Sequence, residues 1–328
     1  MAELTVLKAH GSQNDIFILD SGDRSAVAEQ SLPELVRRLC DRRGPFGGDG
    51  AYFVSMTQPA PEALFFNPDG SFAALCGNGM RCLGRYVLER LDAECTTIRS
   101  GSFEFAVRSA LSTQEGVVQV AVDLPPPDFD PSPPIVAGGG LHLGERFPVL
   151  GSTHGFSALA VPNSHLVAVV DEYTESELIR VGRAVAEAPE VFPIGANVSF
   201  VLPLNSSELF VRTYERGAGL TPSCGSGVVA SRIVYSRLGF CEPGRRMLIR
   251  NPGGHSVVTL RTESGQLFPT LEGNATYVYR TRFDSGAVLS GQMSTISSEL
   301  YDDEIASFEA LNRRNVEALK AAHVLASS

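Results

Sequence analysis

A chain of 328 residues, 43% hydrophobic and 20% charged, should fold as about two globular domains, each with a sizeable core. Its net charge of −10 and lack of any basic run argue against nucleic acid and anionic membrane surfaces, which both call for clustered positive charge. The opening MAELTVLKAHGSQND has no charged region leading into an apolar stretch, and no apolar run of about 18 residues follows, so a soluble cytosolic protein is expected. Two residue types narrow the chemistry further. Only Lys8 and Lys320 are lysines, and Lys320 falls in what reads as a tail, so Schiff-base chemistry would rest on Lys8 alone. The cysteines Cys40, Cys76, Cys82, Cys95, Cys224 and Cys241 show no CxxC pairing and no zinc-ligand spacing with histidine, and read as free thiols.

In chain order, Thr5–Leu7, Ile16–Leu19 and Val117–Val122 read as strands, and Leu32–Arg42 and Gly77–Leu91 as helices. A proline-rich stretch, Leu124–Pro134, followed by Gly138, Gly139 and Gly140, marks a junction between segments of similar size. Beyond it, Ser157–Val161, Leu166–Val170, Leu209–Tyr214 and Val257–Leu260 read as strands. Glu175–Glu187, Gly225–Leu238 and Asp302–His323 read as helices. Strands outnumber helices without strict alternation, which argues for an α+β fold over a doubly wound parallel sheet.

The two segments resemble each other. Cys76-Gly77-Asn78-Gly79 opens one helix and Cys224-Gly225-Ser226-Gly227 opens another, 148 residues later. At the same offset Asn67 and Pro68 correspond to Glu215 and Arg216, while Asn14 and Asn163 lie 149 apart. Matched context on two C-G-x-G motifs suggests an internal duplication. A cysteine at a helix N-terminus sits beside unpaired backbone N–H groups and partial positive charge, which predicts a lowered thiol pKa. The glycines would let a carboxylate approach those amides. If the halves face each other, two thiols flank one α-carbon, one removing a proton and the other delivering one, as a racemase or epimerase requires. The alternative is a pair of structural cysteines with glycines serving tight turns. Cys40, Cys82, Cys95 and Cys241 fit that structural description better.

These residues resemble the diaminopimelate epimerase family. The blocks are HGSQND (His10–Asp15), CDRRGPFGGDG (Cys40–Gly50), FFNPDGSFAALCGNGMRC (Phe65–Cys82), PNSH (Pro162–His165), ANVSF (Ala196–Phe200) and ERGAGLTPSCGSG (Glu215–Gly227), in family order through about residue 284. The resemblance implies two pseudo-symmetric domains, each a mainly antiparallel sheet wrapped round a central helix, with 1–124 plus 275–284 in one and 125–274 in the other. It implies Cys76 and Cys224 as acid/base residues and His165 and Glu215 as residues tuning the thiols. The amides of Gly77, Asn78, Gly225 and Ser226 would cradle the substrate carboxylate. Asn14, Asn67, Asn163, Asn197, Glu215 and Arg216 would bind substrate, with Arg216 suited to a bidentate grip on a carboxylate. No cofactor is implied; the expected partners are an amino-acid substrate and a second copy of the chain in a homodimer.

The chain departs from the family pattern at Gly219-Leu220-Thr221 (commonly GET), Ser164 (in GNPH) and Ser226 (in GTG), and at Arg43, Gly44 and Phe72. Leu220 and Phe72 leave open a racemase for another amino acid, and a reversible Cys76–Cys224 disulfide is the rival from thiol redox chemistry. Residues 285–328 extend past the usual family end. Ser285–Ser298 reads as polar and flexible, and Asp302–His323 as an amphipathic helix that packs on its own domain, forms a dimer contact or covers a cleft.

Overall fold

The computed structural model describes residues 3–20, 28–57, 59–73, 75–292 and 297–325. The chain divides into two compact units, Met1–Val122 with Glu272–Leu311, and Asp123–Leu271 with Asn312–Ser328. The fold is mixed α+β and dominated by strands, as the element count in the sequence indicates.

The first unit opens with strands β1 (Glu3–Gly11) and β2 (Asn14–Asp20), paired antiparallel across the two-residue loop Ser12-Gln13. Helix α1 (Leu32–Cys40) has Pro33 in its first turn and spaces Leu32, Leu35, Val36 and Leu39 onto one face. That face packs on Leu4, Val6, Phe17 and Leu19 of the strands. Burying each such aliphatic side chain contributes roughly 1.5–3 kcal/mol. The helix stops at Cys40, two residues short of the sequence expectation, because Asp41 turns to an extended conformation. There follow β3 (Gly50–Ser55), β4 (Glu62–Phe66), β5 (Phe72–Ala73), α2 (Gly77–Leu91), β6 (Cys95–Ser100), β7 (Phe103–Ala110) and β8 (Gln119–Asp123). Strand β3 runs parallel to β2, β4 antiparallel to β3, and β6 parallel to β4. Gly77 to Gly84 of α2 are all buried, so the sheet closes round this helix.

The second unit repeats that order. Strands β9 (Phe156–Val161) and β10 (Asn163–Val169) form the opening antiparallel pair, and α3 (Glu175–Glu187) takes the place of α1. Then come β11 (Asn197–Pro203), β12 (Glu208–Glu215), β13 (Gly219–Leu220), α4 (Gly225–Arg237), β14 (Met247–Asn251) and β15 (Gly254–Glu263). Again β11 is parallel to β10, β12 antiparallel to β11, and β14 parallel to β12. Eleven consecutive residues of α4, Gly225 to Tyr235, are buried. The duplication suggested by two four-residue motifs therefore extends to the order and direction of whole units. The stretch 124–147, at the start of the second unit, holds only isolated bridges, at Asp128 and Glu145, in keeping with its prolines and glycines.

The chain continues with β16 (Gln266–Asn274) and β17 (Thr276–Asp284), the latter antiparallel to β1. The stretch expected to be flexible instead begins with a short helix, α5 (Ser285–Leu289), capped by Asp284 accepting from the Ala287 N–H at 2.8 Å. A local cap and the burial of Ser285 and Val288 outweigh the polar composition. Residues 293–296 of that stretch lie outside the described residues. Strand β18 (Ser298–Leu300) pairs with β17, and α6 (Asp302–Ala321) closes the chain as a helix with acidic residues in its first turn and Lys320 in its last. Among the described residues no helix is long and apolar enough to cross a membrane.

One buried charge holds a loop of the second unit. Arg232 on α4 is fully buried, and its Nη2 donates to the carbonyls of Glu242 (2.7 Å), Pro243 (3.0 Å) and Arg245 (3.1 Å). Replacing it by methionine keeps much of the volume but strips those carbonyls of a donor. Arg232→Met should cost about 3 kcal/mol in urea unfolding, and a loss below about 0.5 kcal/mol would contradict this assignment.

Candidate functional site

Each C-G-x-G motif places its cysteine at the N-cap of the buried helix. Cys76 (φ −116°, ψ 112°) and Cys224 (φ −113°, ψ 108°) share an extended backbone that turns into the helix. The last glycine of each motif serves packing. A Cβ on Gly79 would stand 2.9 Å from the Tyr52 ring, and one on Gly227 2.6 Å from Thr213 Oγ1. These two glycines thus let helix and sheet approach, a role distinct from the anion access expected for them.

The Cys76 half-site is built from β2, β3 and α2. The thiol accepts from the Gly79 N–H at 3.3 Å and donates to Asn14 Oδ1 at 3.4 Å. Asn14 is the first residue of β2, so the hairpin turn sets its position. Gly11, across that turn, abuts the helix, where a Cβ would be 2.6 Å from the Asn78 carbonyl. Beneath the cysteine lies Tyr52, fully buried on β3. Its hydroxyl accepts from the Cys76 N–H at 3.1 Å and donates to the Cys76 carbonyl at 3.4 Å. Burial, then the nearby Cys76 thiol, raises the phenol pKa well above its usual value, so Tyr52 stays protonated. Asn67 forms a turn, its Nδ2 donating to Ser71 Oγ at 3.0 Å. Asn78 is buried in the first turn of α2. Phe72, a departure from the family pattern, is exposed on β5 and makes an edge contact with Phe66.

A buried polar network backs the hairpin. Asn274 Oδ1 accepts from the Ser12 N–H at 2.7 Å, and its Nδ2 donates to the His10 carbonyl at 3.0 Å. Arg81, fully buried on α2, donates from Nε to the Asn274 carbonyl (3.2 Å) and from Nη2 to Ser12 Oγ (3.3 Å). Burial lowers the Arg81 pKa to about 10, which still leaves the guanidinium charged at neutral pH.

The Cys224 half-site is drier. Cys224 is buried; Sγ lies 3.6 Å from Ser226 Oγ and hydrogen-bonds with Glu215. Burial first, and the Glu215 carboxylate second, push its pKa well above the usual thiol value. This reverses the lowered value expected from the helix N-terminus: desolvation and a like charge outweigh the dipole and the Gly227 N–H. Glu215 also accepts from Thr221 Oγ1. Asn197 Oδ1 accepts from the Arg216 N–H at 2.9 Å, and Arg216 Nη1 donates to the Ile194 carbonyl. The Arg216 side chain is exposed, pairs with no carboxylate among the described residues, and borders a cavity of about 690 Å³ with Pro193, Ile194 and Tyr214. Gly195, at φ +63°, leaves room for it. Asn163 is exposed at the start of β10. Leu220 lies partly buried against the core of this unit.

His165 is fully buried on β10, and neither ring nitrogen has a hydrogen-bond partner among the described residues. Its parallel register with Asn197 puts the two residues on the same face of the sheet. Burial alone lowers its pKa to about 3, so the imidazole is neutral. No hydrogen bond joins it to Cys224 among the described residues.

Of the residues singled out in the sequence, the structure brings Asn14 to Cys76 and Glu215 to Cys224. The sequence reading missed Tyr52, His10, Arg81 and Asn274, whose contacts span up to 264 positions in the chain. The blocks HGSQND, containing His10, and FFNPDGSFAALCGNGMRC, containing Arg81, were the signals available for two of them.

Solved structures share this fold. A phenazine biosynthesis protein of the PhzF family from Bacillus anthracis aligns with a TM-score of 0.63 at 15% identity, over 87% of this chain and all of that one. A hydroxyproline epimerase from Agrobacterium vitis aligns with a TM-score of 0.60 at 16% identity, covering 86% of this chain and 91% of its own. The diaminopimelate epimerase family model matches residues 6–120 and 157–278. Diaminopimelate epimerases of Enterococcus faecalis and Clostridium acetobutylicum are 36% and 31% identical, over 88% and 85% of this chain and 92% and 85% of theirs. The chain belongs to the diaminopimelate epimerase family, a family of isomerases.

Two measurements check these half-sites. Glu215→Gln removes the like charge beside Cys224, so its alkylation at pH 8 should quicken several-fold by peptide mass spectrometry; an unchanged or slower rate contradicts the electrostatic assignment. Tyr52→Phe removes both hydroxyl contacts to the Cys76 backbone. Cys76 alkylation should then change at least about twofold while Cys224 alkylation does not, and equal changes at both would contradict a local role.

Proposed function

We propose that the chain interconverts the LL and meso forms of 2,6-diaminopimelate, in lysine and peptidoglycan precursor synthesis, without a cofactor. Cys76 and Cys224 are the acid/base pair, acting on opposite faces of one α-carbon. The thiolate of one takes the α-proton, and the thiol of the other gives a proton to the far face. One turnover exchanges their protonation states. The observation carrying this reading is the duplication itself: two cysteines with the same N-cap conformation at the mouths of two buried helices, in a chain belonging to this family.

The environments of the thiols suggest how the work divides. Cys224, held protonated by burial and Glu215, enters as the acid, which leaves Cys76 to act as base; the reverse reaction exchanges the roles. His165, a dry neutral imidazole without a hydrogen-bond partner among the described residues, and Glu215 are the residues that tune the thiols. The first-turn amides of Gly77, Asn78, Gly225 and Ser226 cradle the carboxylate as charge grows on it. Asn14, Asn67, Asn163, Asn197, Glu215 and Arg216 hold the rest of the substrate. The exposed guanidinium of Arg216, which pairs with no carboxylate among the described residues, suits the distal carboxylate, which a monocarboxylic amino acid lacks. The enzyme acts in the cytosol as a homodimer.

Deuterium exchange at the α-carbon in heavy water, over a panel of amino acids, tests the reading. Diaminopimelate should exchange fastest, and Cys76→Ala and Cys224→Ala should each lose at least about 100-fold. A faster competitor would make the protein a racemase of another amino acid. Retained exchange in either reduced variant would contradict the two-thiol mechanism and favour a redox role for the pair.

A further inference from the structure

The helix Asp302–Ala321 lies outside the residues matched by the family model, yet its first half is built into the support of the Cys76 half-site. Glu304 makes two contacts to Arg85 of α2, at 2.5 and 2.8 Å, and accepts from the Tyr277 N–H at 3.0 Å. One turn later Phe308, 4% exposed, sets its ring edge-on against His10, with centroids 4.3 Å apart. Leu311 joins Phe308 and Val117 in a small apolar cluster. These contacts all fall within the first unit.

His10 is the residue through which this matters. The hairpin loop between β1 and β2 puts two successive non-glycine residues, Ser12 (φ 53°) and Gln13 (φ 63°), in the left-handed region. Such a turn persists only where its surroundings over-determine it. Asn274 takes the Ser12 N–H at 2.7 Å, and His10 Nδ1 takes the Gln13 N–H at 3.4 Å. The next residue is Asn14, whose Oδ1 accepts from the Cys76 thiol. We propose that helix Asp302–Ala321 is a positioning element for Cys76: through Phe308 it keeps water from His10, and His10 holds the turn that sets Asn14 against the thiol. The inference deepens the proposed function and rests on Cys76 being an acid/base residue of that reaction.

The arrangement works only while His10 is an acceptor. A protonated imidazole would turn an Nδ1–H toward the Gln13 N–H and the Asn274 amide, and the turn would lose a support. Every charge facing His10 enters that balance: Lys8 on β1 and Arg81 on α2 oppose protonation, and Glu304 on the final helix favours it. Burial is the largest influence, and with Lys8 and Arg81 it outweighs Glu304 and holds the pKa at about 4, against an ordinary 6.5. Removing Phe308 admits water and moves His10 back toward the ordinary value. The proton then binds at mildly acidic pH, and Asn14 loses its register with Cys76.

The test uses the full chain and compares Phe308→Ala with the unaltered protein between pH 5.5 and 7.5, by α-proton exchange and by Cys76 alkylation. The ratio of variant to unaltered rate should fall severalfold from pH 7.5 to 5.5, as expected for a group whose pKa moves up from about 4 toward 6.5 while Lys8 and Arg81 still oppose its proton. The His10 ring resonance should titrate within that pH range in the variant and not in the parent. A second change, His10→Asn, supplies an acceptor that does not titrate and should flatten the ratio again. A ratio independent of pH in Phe308→Ala would overturn the proposal, since a merely structural loss lowers both ends alike. If the alanine variant does not fold by circular dichroism, Phe308→Val carries the same comparison, with a smaller pH-dependent fall expected and a flat ratio contradicting. If the unaltered protein exchanges no amino acid, the proposed function fails, while the alkylation ratio and His10 titration still decide this inference.

Discussion

A helix whose first two turns are buried on every side must still satisfy the N–H groups of its first turn, and in this chain that demand recurs twice. Cys76 meets it with its own sulfur, which takes the Gly79 N–H. Cys224, in the same backbone conformation, is held instead mainly by Ser226 and Glu215, with the Gly227 N–H a lesser influence on its sulfur. Everything proposed for function follows from this placement. The extended N-cap residue fixes where each sulfur lies, and the glycine three positions on lets the helix sink against the sheet.

The duplication is one of framework more than of environment. The units repeat strand order, strand direction and the buried helix, yet their thiols differ. Cys76 is half-buried among neutral hydrogen-bonding groups, while Cys224 is dry and stands beside a carboxylate. An enzyme inverting a stereocentre needs one group with its proton and one without. Identical half-sites would have to break that symmetry with each turnover. Here the difference is built into the side chains, through Asn14 on one side and Glu215 on the other.

Much of this was legible in the sequence because it is local. The helices Gly77–Leu91 and Glu175–Glu187 begin and end where their patterns put them, and the C-G-x-G pair announced both N-caps. What escaped was what depends on contact between distant segments. Asn274 reaches the hairpin at Ser12 across 262 positions, Tyr52 reaches Cys76 from another strand, and Phe308 reaches His10 from the far end of the chain. The direction of the Cys224 shift was misjudged for the same reason. A helix N-terminus can be read from the sequence, but the depth of burial that overrides it cannot. The polar run after Asp284 hid a short capped helix because composition carries no information about a single cap.

The central claim, that two thiols serve one carbon from opposite sides, has a direct kinetic signature. Starting from one pure isomer of diaminopimelate in heavy water, the label in product and in recovered substrate can be followed through the first few per cent of reaction. Two separate thiols predict product carrying solvent deuterium at the inverted centre from the outset, while recovered substrate remains protiated. Product that retains the original hydrogen would mean a single base returning the same proton, and would contradict the account.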